Sequence, residues 1–250
     1  MRLVTDALLA QARLQNPAVE ISLTGIGYVR DGVWKGQKGL ISLADIFRSL
    51  PLGISPGEGT LGHPLALVGL KREHLKLLLE YTPSMAYVSG AFSDMYTTPA
   101  GICMEVDTAR KPMDRVTKIR YAARNDNDRC DGAVIYDASA GGWQSGIDEK
   151  KVFAVALDYY HILFGFGATN IPLLRPDGTP AAKPADVILR WPSGNDVKSY
   201  QALAAHIQAL CSAPESQGYL PGRYADLTPR RIACSGPLCG QDMNPATRYR

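Results

Sequence analysis

The chain has 250 residues, room for one large domain or two small ones around a sizeable core. Its 46% hydrophobic and 20% charged residues are ordinary for a globular protein, and no apolar run approaches the ~18 residues that a membrane span needs. The formal charge of +3 is dispersed, with Lys and Arg alternating with Asp and Glu, so nothing in it favours a nucleic-acid polymer as partner.

Residues 2–14 carry Leu3, Val4, Ala7, Leu8 and Leu14 at helical spacing, and Asn16-Pro17 ends the run. This opening has neither the charged n-region nor the cleavage site of an export signal, and the helix starts without a capping residue. Further residues upstream are therefore expected. Ile21 to Thr24 predicts a strand. It runs into a loop punctuated by Gly25 and Gly27 that delivers one cation, Arg30. Glycines allow positive φ and close approach of the backbone to a ligand, and a guanidinium offers planar charged donors to phosphate, carboxylate or sugar oxygens. The spacing then predicts a helix over Ile41 to Leu50, with Ser42 as N-cap and Asp45 three residues on, closing in Leu-Pro-Leu-Gly. A buried strand follows over Leu65 to Leu70 and a helix over Lys71 to Tyr81.

From about Tyr87 the texture changes to short strands separated by turn residues: Tyr87 to Phe92, Gly101 to Asp107, Arg115 to Ala122 and Gly132 to Asp137. The polar turn Asn125 to Asp128 lacks the glycine and downstream Glu of a calcium loop. Lys150 to Asp158 predicts another buried strand. It leads through Tyr159, Tyr160 and His161 to a second glycine-and-aromatic loop, Phe164 to Gly167. Ile171 to Pro192 is proline-rich and is expected to wrap the surface. Val197 to Leu210 reads as an amphipathic helix, and the tail as irregular with an extended segment near Arg231-Ile232. We expect a domain over residues 1–211 and a tail over 212–250 packed on it. Strands and helices mixed without regular alternation favour an α+β fold.

Five cysteines are too few for a disulfide scaffold and odd in number. Cys234 and Cys239 bracket a short turn, Ser-Gly-Pro-Leu, which can close into a disulfide in an oxidising compartment. His63, His74, His161 and His206 lack metal-ligand spacing relative to the thiols, so no zinc site is read.

The order of these pieces resembles the C-terminal domain of the bacterial 5'-nucleotidase and UDP-sugar hydrolase family. The resemblance rests on LVTDALL (Leu3 to Leu9), TGIGYVRD (Thr24 to Asp31), ISLADIFRSLPLG (Ile41 to Gly53) and LVGLKREHLKLLLE (Leu67 to Glu80). AGICMEVD (Ala100 to Asp107), RVTKI (Arg115 to Ile119) and FAVALDYY (Phe153 to Tyr160) extend it. It covers roughly residues 2–170 and lies in the order and spacing of the motifs rather than in any one of them.

The resemblance implies a layered α/β/β/α domain, with mixed sheets flanked by helices. It implies a substrate-recognition role beside an N-terminal metallophosphoesterase domain that carries two divalent metals and all the catalytic groups. The present residues would then hold no metal and no catalytic residue, and would be inactive by themselves. The implied ligand is a nucleotide or another phosphate ester, and the implied location is periplasmic or extracellular. Arg30 falls on the family's ligand arginine, Gly27 on a retained loop glycine and Gly101 on the glycine of its S-G-[LI] element. Tyr160 falls on the second stacking aromatic. Leu52, with Gly53 after it, stands where the family has the first stacking phenylalanine, Ile54 replaces an Asn, and Phe166 replaces a sugar-binding Asp. Tyr28, Tyr159, Phe164 and Phe166 are candidates to rebuild a different pocket. A second reading stands beside this one: a non-catalytic binding or interaction module that kept the fold and lost the nucleoside site. On the recognition reading, Arg30 and Tyr160 are expected to meet at one cleft.

Overall fold

A computed structural model describes residues 1–36, 38–85, 97–124, 126–225 and 231–239. Helix α1 (Arg2–Gln15) leads into strand β1 (Ile21–Gly25), and α2 (Leu43–Ser49) precedes β2 (Leu65–Lys71) and α3 (Arg72–Met85). The chain continues through β3 (Thr97–Ala100), β4 (Ile102–Asp107), β5 (Val116–Tyr121), β6 (Val134–Asp137), β7 (Gly142–Trp143) and β8 (Val152–Asp158). A C-terminal helix (Ser199–Ser212) and β9 (Ile232–Ser235) complete it.

Two mixed sheets result, as the α+β expectation requires. The first has the order β2-β8-β1-β3, with β8 antiparallel to β2 but parallel to β1; the second has the order β7-β6-β5-β4-β9. The first sheet is covered on both faces, so its strands are apolar throughout yet still sort by a period of two. Ile21, Leu23, Ala66, Val68, Leu70, Phe153, Val155 and Leu157 face a core shared with the second sheet and α3. Leu65, Leu67, Ala154 and Ala156 face a separate core under α1, α2 and the C-terminal helix. Small residues Ala154 and Ala156 meet Ala7 and Ala12 of α1 in that core, which lets the helix lie close to the strands. Polar side chains on that face are satisfied locally: Ser22 Oγ donates to the Thr5 carbonyl at 2.6 Å.

Local chemistry sets the element ends. Ser42 and Asp45 form the expected capping box, with Asp45 N donating to Ser42 Oγ at 3.2 Å and Ser42 N donating to Asp45 Oδ2 at 2.9 Å. Helix α3 runs past the predicted Tyr81 and accommodates Pro83, whose carbonyl accepts from Arg115 Nη1 at 2.6 Å. The segment after Ile171 does more than wrap the surface. It covers the β2 edge, with Gly69 N donating to the Leu174 carbonyl and Leu189 N to the Leu65 carbonyl. The predicted strand Tyr87 to Phe92 lies outside the described residues.

Two loop expectations are corrected. Neither Gly25 nor Gly27 takes positive φ, and the loop after β1 is a single 3-10 turn over Ile26–Tyr28. Phe164 to Gly167 is helical, a π turn (Ile162–Phe166) running into Gly167–Thr169. The extended segment expected near Arg231-Ile232 is β9, which adds to the second sheet parallel to β4. A second disulfide, Cys103–Cys130, accompanies the anticipated Cys234–Cys239 pair, and Cys211 is free.

Candidate functional site

Because β1 and β8 are parallel neighbours, their carboxyl ends release two adjacent turns on one edge of the first sheet, a place where α/β folds commonly hold ligands. The turn after β1 carries Tyr28, and a single helical turn after β8, Tyr159–His161, carries Tyr160. The antiparallel β2 starts at the same end, where Tyr159 N donates to the Pro64 carbonyl at 3.0 Å. A hairpin-like loop therefore delivers His63 there too, closed by His63 N on the Leu52 carbonyl and Gly62 N on the Gly53 carbonyl, both at 2.9 Å.

The three segments meet ring against ring. Tyr28 and Tyr160 stack with centroids 6.3 Å apart and planes 21° apart. His63 sits 5.9 Å from Tyr28, 6.1 Å from Tyr159 and 6.3 Å from Tyr160. Gly53 has φ +79°, and a Cβ there would come within 2.1 Å of the His63 ring, so the imidazole lies directly on the glycine. Arg30 is exposed beside this cluster. Its amide donates to the Ser49 carbonyl at 2.9 Å and its Nη1 to the Gly27 carbonyl at 3.0 Å, which ties the guanidinium back to the backbone of the turn that carries Tyr28. Leu52 is half-buried against the α1-side core.

Arg30, Gly27, Tyr28, Leu52, Gly53 and Tyr160 thus share one edge of the sheet. Two other candidates lie elsewhere. Gly101 is at the opposite end of β1, with φ +83° and a would-be Cβ 2.1 Å from the Glu20 carbonyl. Phe166 is buried in the core between the sheets, where it lines a cavity of about 20 Å³ with Leu23, Leu157 and His161. The Phe164 side chain lies outside what the structure describes.

His63, Asp158, Ser199 and Asp196 complete the site, and sequence reading missed them. Only its position between the Leu-Pro-Leu-Gly loop and β2 pointed to His63. Asp158 is fully buried and accepts from Thr24 Oγ1 at 2.6 Å, His161 Nδ1 at 2.8 Å and His161 N at 3.1 Å. Burial pushes this carboxyl up, but the His161 ring and the hydrogen bonds outweigh it and hold the group below the usual carboxylate range. Burial pushes His63 down, with Asp158 pulling the other way, and drives the Tyr28 phenol far up, with Asp158 adding to the rise. Tyr28 Oη, His63 Nδ1 and Ser199 Oγ are buried without a hydrogen-bond partner among the described residues. Beside them Asp196 accepts from the Ser55 hydroxyl and from Arg190 Nε at 3.2 Å, while Glu58 pairs with Lys198. The Ser55–Asp196 hydrogen bond and the Glu58–Lys198 ion pair hold the 54–61 loop over the start of the C-terminal helix.

This edge brings three tyrosine rings and the His63 ring beside the buried Asp158 carboxylate, with Arg30 exposed on the chain just after Tyr28. Among the described residues no group of three or more His, Cys, Asp and Glu side chains is placed to hold a metal ion, and no helix is long and apolar enough to cross a membrane.

The family model for the 5'-nucleotidase C-terminal domain matches residues 1–169, from α1 through the turn that carries Tyr160. The chain belongs to this family. Among solved structures, the 5'-nucleotidase precursor of Thermus thermophilus superposes with a TM-score of 0.53 at 15% identity, over 93% of this chain and 34% of that one. The NAD nucleotidase of Haemophilus influenzae gives 0.52 at 16% identity, over 94% of this chain and 33% of that one. Identities this low establish a common fold. The 5'-nucleotidase-family chain described here spans about a third of the length of those two relatives. No curated protein matches it in sequence.

Proposed function

We propose that this 5'-nucleotidase C-terminal domain recognises the organic part of a phosphate ester on behalf of a two-metal phosphoesterase domain in the same polypeptide. The observation that supports the reading is the stacking of Tyr28 on Tyr160 at the carboxyl ends of β1 and β8, with Arg30 two residues beyond Tyr28 and bonded back to the Gly27 carbonyl. An aromatic face holds a base or sugar ring, a guanidinium holds its oxygens, and the metals of the other domain supply the hydrolysis. Arg30, Tyr160, Leu52 and Gly53 are the contacts in this reading, with Gly27 and Tyr28 setting their positions. Phosphate esters of nucleotide type fit the names of the relatives, a 5'-nucleotidase and an NAD nucleotidase. Two disulfides support an oxidising, periplasmic or extracellular setting.

One observation favours a rival. Tyr28 is fully buried, its ring is spent on Tyr160, and Phe166 faces the core, so the aromatic sandwich implied by the resemblance is not reproduced ring for ring. A module that retained the fold as a non-catalytic binding or interaction surface would look the same. Thermal-shift titration with nucleosides, nucleoside monophosphates and sugar phosphates separates the two. Recognition predicts a saturable rise for one ligand class, weakened at least about tenfold in Arg30→Ala, since a hydrogen bond to a charged group contributes roughly 1.5–3 kcal/mol. No shift with any of them would leave the interaction module standing.

A further inference from the structure

The opposite end of the first sheet holds a groove of about 730 Å³, between the end of α1 and the start of β8. Its size is that of a small-molecule site. Arg13, Arg124 and Lys151 bring positive charge to its wall, and Glu20 and Asp177 bring negative charge. The two acids are engaged within the protein. Glu20 accepts from Lys151 Nζ at 2.9 Å on each oxygen and from the Tyr121 hydroxyl at 2.7 Å, and Asp177 accepts from Thr179 N at 2.9 Å and Thr179 Oγ1 at 2.6 Å.

The two arginines are placed differently. Arg13 is oriented by backbone alone, donating to the Val19 carbonyl at 3.0 Å and the Glu20 carbonyl at 3.3 Å. Arg124 is exposed at the rim and makes no ion pair or side-chain hydrogen bond among the described residues. Both side chains line this groove, and Arg124 adds to burial in lowering the Arg13 pKa. Asp6 acts on Arg13 in the opposite sense, but its carboxylate is taken by Arg231, Asn127 and Tyr224. Two guanidiniums therefore line one groove, neither in an ion pair with a protein carboxylate among the described residues. That arrangement is unfavourable by itself and favourable once an anion bridges it.

We propose that this groove is a second ligand site, which takes a small phosphorylated molecule. Its phosphate lies between Arg13 and Arg124, and its organic part runs along Tyr121 and Pro17. A dianion with three peripheral oxygens can accept from both planar forks at once, which a single carboxylate does less well. The site lies about 20 Å from Arg30, across the length of β8, and does not depend on the function proposed for that end.

Melting of the chain at matched ionic strength tests this, with inorganic phosphate, phenyl phosphate and benzoate as probes. A saturable rise with inorganic phosphate, larger with phenyl phosphate and small with benzoate, is expected. Arg124→Ala should melt at or slightly above the parent temperature without anion, because it loses no bond and relieves repulsion. Its apparent Kd for phenyl phosphate should weaken at least about tenfold. Arg30→Ala should bind phenyl phosphate at this site with the parent affinity, which keeps this result separate from the fate of the aromatic edge. No saturable shift, an unchanged Kd in Arg124→Ala, a lower melting point of that variant without anion, or benzoate matching phenyl phosphate would each overturn the assignment.

Discussion

At the scale of single residues, burial shifts the titration of two histidines, His63 in the candidate site and His206 on the C-terminal helix. His63 lies on Gly53 amid three tyrosine rings, and His206 packs edge-on against Tyr224. Burial lowers the pKa of both; Asp158 opposes it at His63, and Asp6 at His206, where Arg223 adds to the fall. The unfolded chain, with histidines near 6.5, takes up protons before these two do, so stability is full above that pH and is lost as pH falls from about 7 toward 5. Each imidazole contributes at most about 1.4 kcal/mol per pH unit. Urea midpoints at pH 7.5 and 5.5 should differ in that sense, and His63→Gln should shrink the difference. Depressed carboxylates such as Asp158 act in a lower window, below about pH 4, and leave this comparison untouched.

At the scale of elements, what could be read from sequence was whatever neighbouring residues decide. The capping box at Ser42 and Asp45 is a matter of three residues, and the turn between Cys234 and Cys239 one of six. Cys103 and Cys130 are 27 residues apart, and the pairing of β4 with β5 together with the turn that follows β5 brings them to a Cα separation of 5.7 Å. That longer closure restricts the unfolded chain more. Removing it as a Cys103→Ala, Cys130→Ala pair should cost about 3–4 kcal/mol, against about 2 kcal/mol for the Cys234–Cys239 pair at separation five, on the chain-entropy account. Denaturant midpoints of the two double variants check the order. Phe166 failed to join Tyr160 for a related reason: a π turn intervenes and directs the ring into the core, and no local signal marks such a turn.

At the scale of the molecule, a buried guanidinium ties the end of the chain to its beginning. Arg231, 2% exposed, donates to Asp6 Oδ2 and Asp128 Oδ1 at 2.8 Å each, and to Thr5 Oγ1 and the Pro99 carbonyl at 3.1 Å. Arg2 reaches the other oxygen of Asp128 at 2.9 Å. Asp128, at the end of the polar turn compared above with a calcium loop, supplies one of the network's two carboxylates. Arg231→Ala leaves two buried carboxylates short of a partner and should cost about 3–5 kcal/mol. Hydrogen exchange should show β9 losing protection before the first sheet does.

The sequence by itself determined most of the helices, the buried strands and the family, because periodicity, caps and motif order are properties of neighbours along the chain. Only the tertiary structure decided that Tyr28, His63 and Tyr160 meet, that Gly101 stands at the far end of β1, and that Arg13 and Arg124 share a wall. Those facts follow from β1 running parallel to β8, which brings Thr24 against Asp158 across 134 positions of chain, and contacts over that separation leave no mark in the local pattern.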